Sequence, residues 1–266
     1  MKIGIVGCGG RMGRMLIETV IETRCADLAG GAEAPGSDLV GTDLGALAGV
    51  ASQGVAVGDN AAALFAASDV VIDFTVPAVT AANAALAAKT GTAMVIGTTG
   101  LDAAQQAAVA AASKQAPVVQ AGNMSLGVNL LVGLAEQVAA ALGSDYDIEV
   151  VEMHHKHKID APSGTALMLG RAAAAGRGVD HDASAVLSRE GHTGARPEGA
   201  IGYAALRGGD VVGDHTIVFA GPGERVELIH KAANRGIFAR GAVRAALWTG
   251  GKAPGLYSMR DVLGLA

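Results

Sequence analysis

Along its first 120 residues the chain alternates short runs that are apolar almost throughout with longer alanine-rich segments. The runs at 2–6, 26–32, 70–73, 93–96 and 117–120 lack the polar–apolar alternation of a strand with one wet face. Strands buried on both faces read this way, so the pattern predicts a parallel sheet covered by helices. The intervening segments supply those helices, over 12–23, 60–67, 80–89 and 102–114. Pro77 follows one strand closely, where it can open the next helix without removing a ladder bond.

The texture changes after residue 123. The stretch "SLGVNLLVGLAEQVAAAL" predicts one amphipathic helix capped by Ser125, and "DIEVVEM" at 147–153 predicts a strand. From 201 to 231 longer runs alternate polar and apolar residues and are joined by Gly-rich turns, which predicts an antiparallel sheet with one wetter face. "GIFARGAVRAALWTGG" returns to a helix, whereas 177–199, rich in Gly, Arg, His and Asp, predicts a mobile loop.

Composition sharpens this picture. Half the residues are hydrophobic (50%) but only 3% are aromatic, so the core must be filled by Ala, Val, Leu and Ile, as in an α/β protein. The 266 residues suffice for two domains, and 39 glycines imply many tight turns or close backbone approaches to a ligand. A net charge of −5 argues against a nucleic-acid partner. No run of about 18 residues is continuously apolar and Met1 leads straight into "KIGIVG", so a cytoplasmic protein with no membrane partner is expected. Cys8 and Cys25 form no disulfide or metal pattern and read as small buried residues.

"KIGIVGCGGRMGRML" is a strand, a glycine-rich turn and a helix in sequence. Such a turn lets a pyrophosphate reach backbone N–H groups at a helix N-terminus, the phosphate site of a Rossmann-like doubly wound sheet. The spacing is GxxGxxG on Gly7, Gly10 and Gly13, with Gly9 also present; the plainer reading is a tight turn with close helix packing. A second strand should end near here in an acid that binds the adenosine ribose, and Glu33 stands 20 residues beyond Gly13. Ala34 follows it, with no cation for a 2′-phosphate. NADH is therefore accepted, while Arg11 leaves NADPH open. "DFTVP" at 73–77 and "GTTG" at 97–100 also end strands, where small hydroxylated residues suit a nicotinamide ring or ordinary turn chemistry.

"EMHHKHKIDAPSGTA", from residue 152, crowds three of seven histidines with two lysines. If the segment is extended, residues 154, 156 and 158 share a face; if it is helical, His154 and Lys158 still do. The helix start after Pro162 offers N–H groups to an anion. His155 and His157 could chelate zinc on a strand, or the histidines could serve local structure. The reading that explains the lysines is a dianionic dicarboxylate substrate. Two charges about 4 Å apart at an effective dielectric of about 20 interact by about 4 kcal/mol. Mutual repulsion should therefore depress the His and Lys pKa values until an anion binds.

Taken together, "GCGGRMG", "DFT", "VIGTTG", "GNMSLGVN", "EMHHKHKIDAPSGTAL", "RGGDVVGDHTIVFAGPGERVELIHKA" and "ARGAVRAALW" resemble the 4-hydroxy-tetrahydrodipicolinate reductase family, also called dihydrodipicolinate reductase, over nearly the whole chain. The resemblance implies a Rossmann-like doubly wound parallel sheet domain over 1–124, completed by 235–266. It implies an α+β substrate-binding and tetramerisation domain over 125–234, with a mixed, largely open sheet. It also implies NADH- or NADPH-dependent reduction of a cyclic imine in the diaminopimelate and lysine pathway by a homotetramer. His154 matches the proton donor and Lys158 the second catalytic residue. His155, Gly164, Thr165 and, more weakly, Ser163 match substrate contacts. Gly7, Cys8, Gly9, Gly10, Arg11, Met12, Glu33, Gly97, Thr98, Thr99, Ala121, Gly122, Asn123 and Met124 match cofactor positions. Hinges are expected near 122–128 and 233–238. Two departures stand out: Ala34 replaces the Arg common in NADPH users, and "AGNMS" replaces the commoner "APNFS".

Three other readings carry distinct signatures. A semialdehyde-type reductase needs a nucleophilic Cys beyond the first half, and none follows Cys25. A non-catalytic NAD sensor would not need His154 or Lys158, and a zinc protein would hold stoichiometric metal.

Overall fold

The computed structural model describes residues 1–265 and divides into two compact units, Met1–Leu126 with the segment from Gly236 onward, and Gly127–Arg235. In the first unit, strands β1 (Lys2–Val6), β2 (Asp27–Ala32), β3 (Val57–Gly58), β4 (Val70–Asp73), β5 (Ala93–Ile96) and β6 (Pro117–Gln120) alternate with helices α1 (Arg11–Glu22), α2 (Leu44–Ala48), α3 (Ala61–Ala67), α4 (Pro77–Thr90) and α5 (Ala103–Ala112). The second unit runs α6 (Leu126–Leu142), β7 (Asp147–His154), α7 (Gly164–Arg177), α8 (His181–Ser184), β8 (Ala185–Val186), β9 (Ile201–Arg207), β10 (Gly213–Gly221) and β11 (Glu224–Ala232). The chain then returns to the first unit with α9 (Gly236–Trp248), β12 (Gly255–Tyr257) and α10 (Met259–Leu263).

The first sheet is wholly parallel, in the order β12-β6-β5-β4-β1-β2-β3. Its strand order reverses at β1 and β4, the switch point of a doubly wound sheet. Ile3, Ile5, Val70 and Val95 on one face pack with Leu16, Ile17 and Val20 of α1 and with Ala239, Ala242 and Val243 of α9. Val71, Met94, Ile96 and Val118 on the other pack with Phe65, Ala84, Ala87 and Val109. Each fully buried aliphatic contributes roughly 1.5–3 kcal/mol, so the continuous apolar runs follow directly from a sheet covered twice.

Helix starts are set by local chemistry. Pro77 occupies the first turn of α4, which therefore begins three residues before the predicted 80. Asp43, Asn60 and Asp102 cap α2, α3 and α5 through their side-chain oxygens. β3, α2, β12 and α10, each five residues or fewer, lie outside the predicted elements.

The second sheet is mixed, β11-β10-β7-β9-β8. β10 is antiparallel to both β11 and β7, but β9 runs parallel to β7 and to β8, correcting the expectation of an antiparallel sheet from 201 onward. The cause is the crossover through α7 and α8, since a chain that returns by way of helices re-enters the sheet in the same direction. Ile148, Val150, Ile201, Tyr203, Ile217 and Phe219 form this unit's core with Leu131 and Ala135 of α6 and Leu169 and Ala173 of α7. The segment 126–145 is apolar and long enough to cross a membrane by length and composition, and its Leu131–Ala135–Ala139 stripe lies in that core.

Residues 177–199 are not loop throughout. They hold α8 and β8, and two arginines tie the remainder to the outer face of β7. Arg189 makes a fork on Glu149 at 2.7 and 2.8 Å, and Arg196 reaches Glu149 at 3.0 Å and Asp147 at 2.7 Å. Low apolar content hid this anchoring, which is ionic.

Candidate active site

In the first unit the carboxyl ends of β1, β4, β5 and β6, neighbours in the sheet, carry the four predicted stretches: the glycine turn, "DFTVP", "GTTG" and "AGNMS". A cleft of about 630 Å³ lies here, lined by Gly7, Gly10, Glu33, Ala34, Asp59, Phe74 and Thr75 among others. Gly7 has φ +67°, a left-handed conformation open to glycine, and a Cβ there would meet the Thr75 methyl at 2.8 Å. A Cβ on Gly13 would stand 2.4 Å from the Gly7 carbonyl. These contacts fit a backbone cradle for a dinucleotide, at the N-terminus of a 12-residue helix whose cap, Gly10, supplies no side-chain bond.

The Glu33 carboxylate already accepts the Gly9 N–H, at 2.6 Å. Arg11 is exposed at the start of α1, while Met12 packs partly into the core. Cys8 is fully buried, and burial first, then Glu33, pushes its thiol up to about 12, so only its backbone can face a ligand; Cys25, also expected to be buried, is exposed. Met124 is likewise buried against α9, its carbonyl occupying the space a Cβ on Gly241 would need. Ala121 N–H donates to Ile96 and the Asn123 side chain accepts the Ser125 N–H, while Gly122 and Thr99 are exposed. Gly97 lies under the Phe74 ring, where a Cβ would come within 2.2 Å.

One carboxylate organises these loops and escaped the sequence reading. Asp73, fully buried at the end of β4, accepts the Thr75 N–H at 2.8 Å, the Thr75 hydroxyl at 2.6 Å, the Asn83 amide at 3.0 Å and the Thr98 hydroxyl at 3.2 Å. Its signal was an acid closing an otherwise apolar buried strand.

In the second unit β7 ends at His154, and 155–158 form a turn in which the Lys158 N–H donates to the His155 carbonyl at 3.1 Å. The extended geometry holds only as far as His154, and the helical one does not occur. What shares a face is Glu152 and His154, two apart on the buried side of β7 and only 1% and 8% exposed. The His154 Nδ1 lies 2.5 Å from the Glu152 carboxylate. Arg207 grips the same carboxylate with both guanidinium nitrogens, each at 2.8 Å, and the Ser163 N–H donates to it at 3.1 Å. Burial opposes charge on Glu152, but Arg207 and His154 outweigh it and hold the carboxyl below its usual range.

Ser163 caps α7 by accepting the Ala166 N–H at 3.1 Å, and its hydroxyl meets His215 Nε2 at 2.9 Å. Gly164 and Thr165 then form the first turn of the helix, at the positive end of its dipole. His155 is anchored through its N–H to Val211 at 2.8 Å. Burial, then Arg235 and the neighbouring cations, lowers its pKa. Crowding by cations adds to the depression, but burial is its larger cause. Elsewhere the crowd is answered by acids: Lys158 makes two bonds to Asp160, at 2.7 and 2.8 Å, which hold that carboxyl low. The rings of His155 and His157 are 6.2 Å apart, and among the described residues no three His, Cys, Asp or Glu side chains converge to hold a metal.

His215 completes the recess, its ring 5.0 Å from that of His154 and edge-on to it. Burial, then His154, pushes its pKa down to about 4. Glu152, Arg207, His215 and Asp160 were all missed in the sequence. The two-residue spacings of Glu152 from His154 and of Asp160 from Lys158 could have revealed two of them, but Arg207 and His215 depend on which strands pair.

The sequence model described as "Dihydrodipicolinate reductase, N-terminus" matches residues 1–124, and that described as "Dihydrodipicolinate reductase, C-terminus" matches 127–263. A 4-hydroxy-tetrahydrodipicolinate reductase of Rhodopseudomonas palustris (strain HaA2) is 56% identical over 266 residues, covering 100% of this chain and 98% of the relative. One of Ruegeria pomeroyi is 57% identical over 263 residues, covering 99% of this chain and 98% of the relative. The solved dipicolinate-bound dihydrodipicolinate reductase of Paenisporosarcina sp. TG-14 is 25% identical, with 98% of each chain covered and a TM-score of 0.77.

Proposed function

We propose that this chain, which belongs to the dihydrodipicolinate reductase family, reduces 4-hydroxy-tetrahydrodipicolinate to tetrahydrodipicolinate with loss of water, using NADH or NADPH. The observation that carries the chemistry is the recess at the end of β7, where a carboxylate-held histidine, a lysine and a helix N-terminus stand together. A relative bound to dipicolinate supports a dicarboxylate ligand of the same shape.

Departure of the 4-hydroxyl as water leaves a conjugated cyclic imine. The nucleotide, when bound, supplies the hydride that saturates its carbon–carbon double bond. The displaced electron pair then takes up one proton, and His154 donates it. Lys158, released from Asp160, balances a substrate carboxylate together with His155. The Gly164 and Thr165 N–H groups receive a carboxylate at the positive end of α7. Residues 1–124 with 235–266 bind the dinucleotide through the cradle from Gly7 to Met12, Glu33 and the ends of β5 and β6. Residues 125–234 bind substrate and build a homotetramer in the cytoplasm.

The test follows NADH and NADPH oxidation by absorbance, with substrate freshly made by a coupled synthase. Substrate-dependent oxidation of either nucleotide is the expected result; its absence with both would remove the assignment.

A further inference from the structure

Nothing so far assigns a role to the most heavily bonded buried group of the second unit. Glu152 uses both oxygens twice: one accepts from Arg207 and from the Ser163 N–H, the other from Arg207 and from the His154 ring. A buried carboxylate with one bond could be a leftover of packing. One with four, including a bidentate guanidinium, is held in a single orientation.

We propose that Glu152 is the positioning residue of this site: it fixes the His154 ring with Nδ1–H turned inward, so that Nε2 alone meets the substrate, and Arg207 locks it in that stance. The proposal rests on the reductase reading for its chemistry, though not for its geometry. An ionised carboxylate only accepts hydrogen bonds, so the imidazole nitrogen facing it carries a proton in both the neutral and the charged ring. Proton loss and gain are thereby confined to Nε2.

The surroundings keep that nitrogen open. A Cβ on Gly213 would stand 2.9 Å from His154 Nε2, so glycine at the start of β10 leaves the tip uncovered. The register of the sheet supplies the rest: Arg207 pairs with His154 across β9, and His215 pairs with Glu152 across β10. The titratable and charged groups around the ring are therefore Glu152 on its own strand, Arg207 from β9, His215 from β10, and His155 and Lys158 from the following turn. His215 stays neutral above about pH 4, and adds no charge beside the donor at working pH. Arg207 also donates to the Asp160 carbonyl at 2.6 Å, tying the same clamp to the loop that carries Lys158.

The measurement is ¹⁵N NMR of the histidine rings in the whole protein, with His154 assigned by its loss in H154N. Wild type should show the neutral ring as the Nδ1–H form. E152Q should show a mixture of both neutral forms, a kcat lower by roughly 10–100-fold and an alkaline limb of the kcat profile moved down by about one pH unit. Substrate KM and nucleotide Kd should stay within about threefold. R207K, which keeps the charge but not the fork, should fall between the two. An Nε2–H ring in wild type, or E152Q with an unmoved pH profile, would overturn the proposal. Should E152Q fail to fold, the wild-type spectrum decides alone. Because that spectrum needs no substrate, it stands or falls separately from the activity assay.

Discussion

The glycine turn of the first unit and the histidine turn of the second occupy the same kind of place. Each leaves the carboxyl end of a strand, β1 or β7, and leads to the N-terminus of a helix, α1 or α7. They are built from opposite materials. Around Gly7 and Gly13 the cradle consists of backbone, and the nearest atoms stand where side chains would be. Around His154 the recess consists of side chains whose charges are matched at hydrogen-bond distance: Glu152 with Arg207 at 2.8 Å, Lys158 with Asp160 at 2.7 Å. The first site should therefore be broken by additions, the second by deletions.

The largest expected effect separates the two directly. His154→Ala or Lys158→Ala should lower kcat by about 10²–10⁴-fold, with NADH affinity by titration calorimetry within about twofold of wild type. Equal weakening of nucleotide binding would erase the distinction. Gly13→Ala should do the reverse: its Cβ, placed 2.4 Å from the Gly7 carbonyl, forces a shift costing about 1–3 kcal/mol. NADH binding should weaken tenfold or more, while dipicolinate still binds the second unit.

A third expectation concerns stability. His215 titrates near 4 in the folded protein against 6.5 when unfolded. Above pH 6.5 neither state takes the proton and nothing is lost. Between 6.5 and about 4 the unfolded chain binds it and the folded chain does not, so stability falls with falling pH, by up to about 3 kcal/mol at the lower end. His215→Gln should flatten that part of the curve in urea titrations across the window. The smallest effect is in the cleft, where Glu33 and Asp59 line the wall and Ala34 brings no cation. Ala34→Arg should shift the NADPH-to-NADH ratio of kcat/KM upward by a few-fold, as one exposed ion pair allows. No shift would place 2′-phosphate recognition elsewhere.

The legibility of the two regions differs for a physical reason. Buried parallel strands announce themselves by unbroken apolar runs, and β1, β4, β5 and β6 begin and end where those runs do. The glycine turn is readable because steric exclusion is local in sequence. In the second unit the groups around His154 come from 152, 163, 207 and 215: Arg207 arrives on a parallel β9 that alternation alone cannot distinguish from an antiparallel one, His215 on antiparallel β10 and Ser163 at the start of α7. Asp73 was hidden differently: its bonds run to Thr75, Asn83 and Thr98, each of which reads singly as turn or helix chemistry.

The return of α9 and β12 to the first sheet has a consequence for biosynthesis. Ala239, Ala242, Val243, Ala245 and Ala246 close one face of the sheet, and β12 extends it beside β6. A ribosome translating this message has released every residue from 127 to 235 before it emits the segment that seals the amino-terminal lobe. The lobe made first is finished last, and the nascent chain must carry an open apolar surface while the inserted lobe matures.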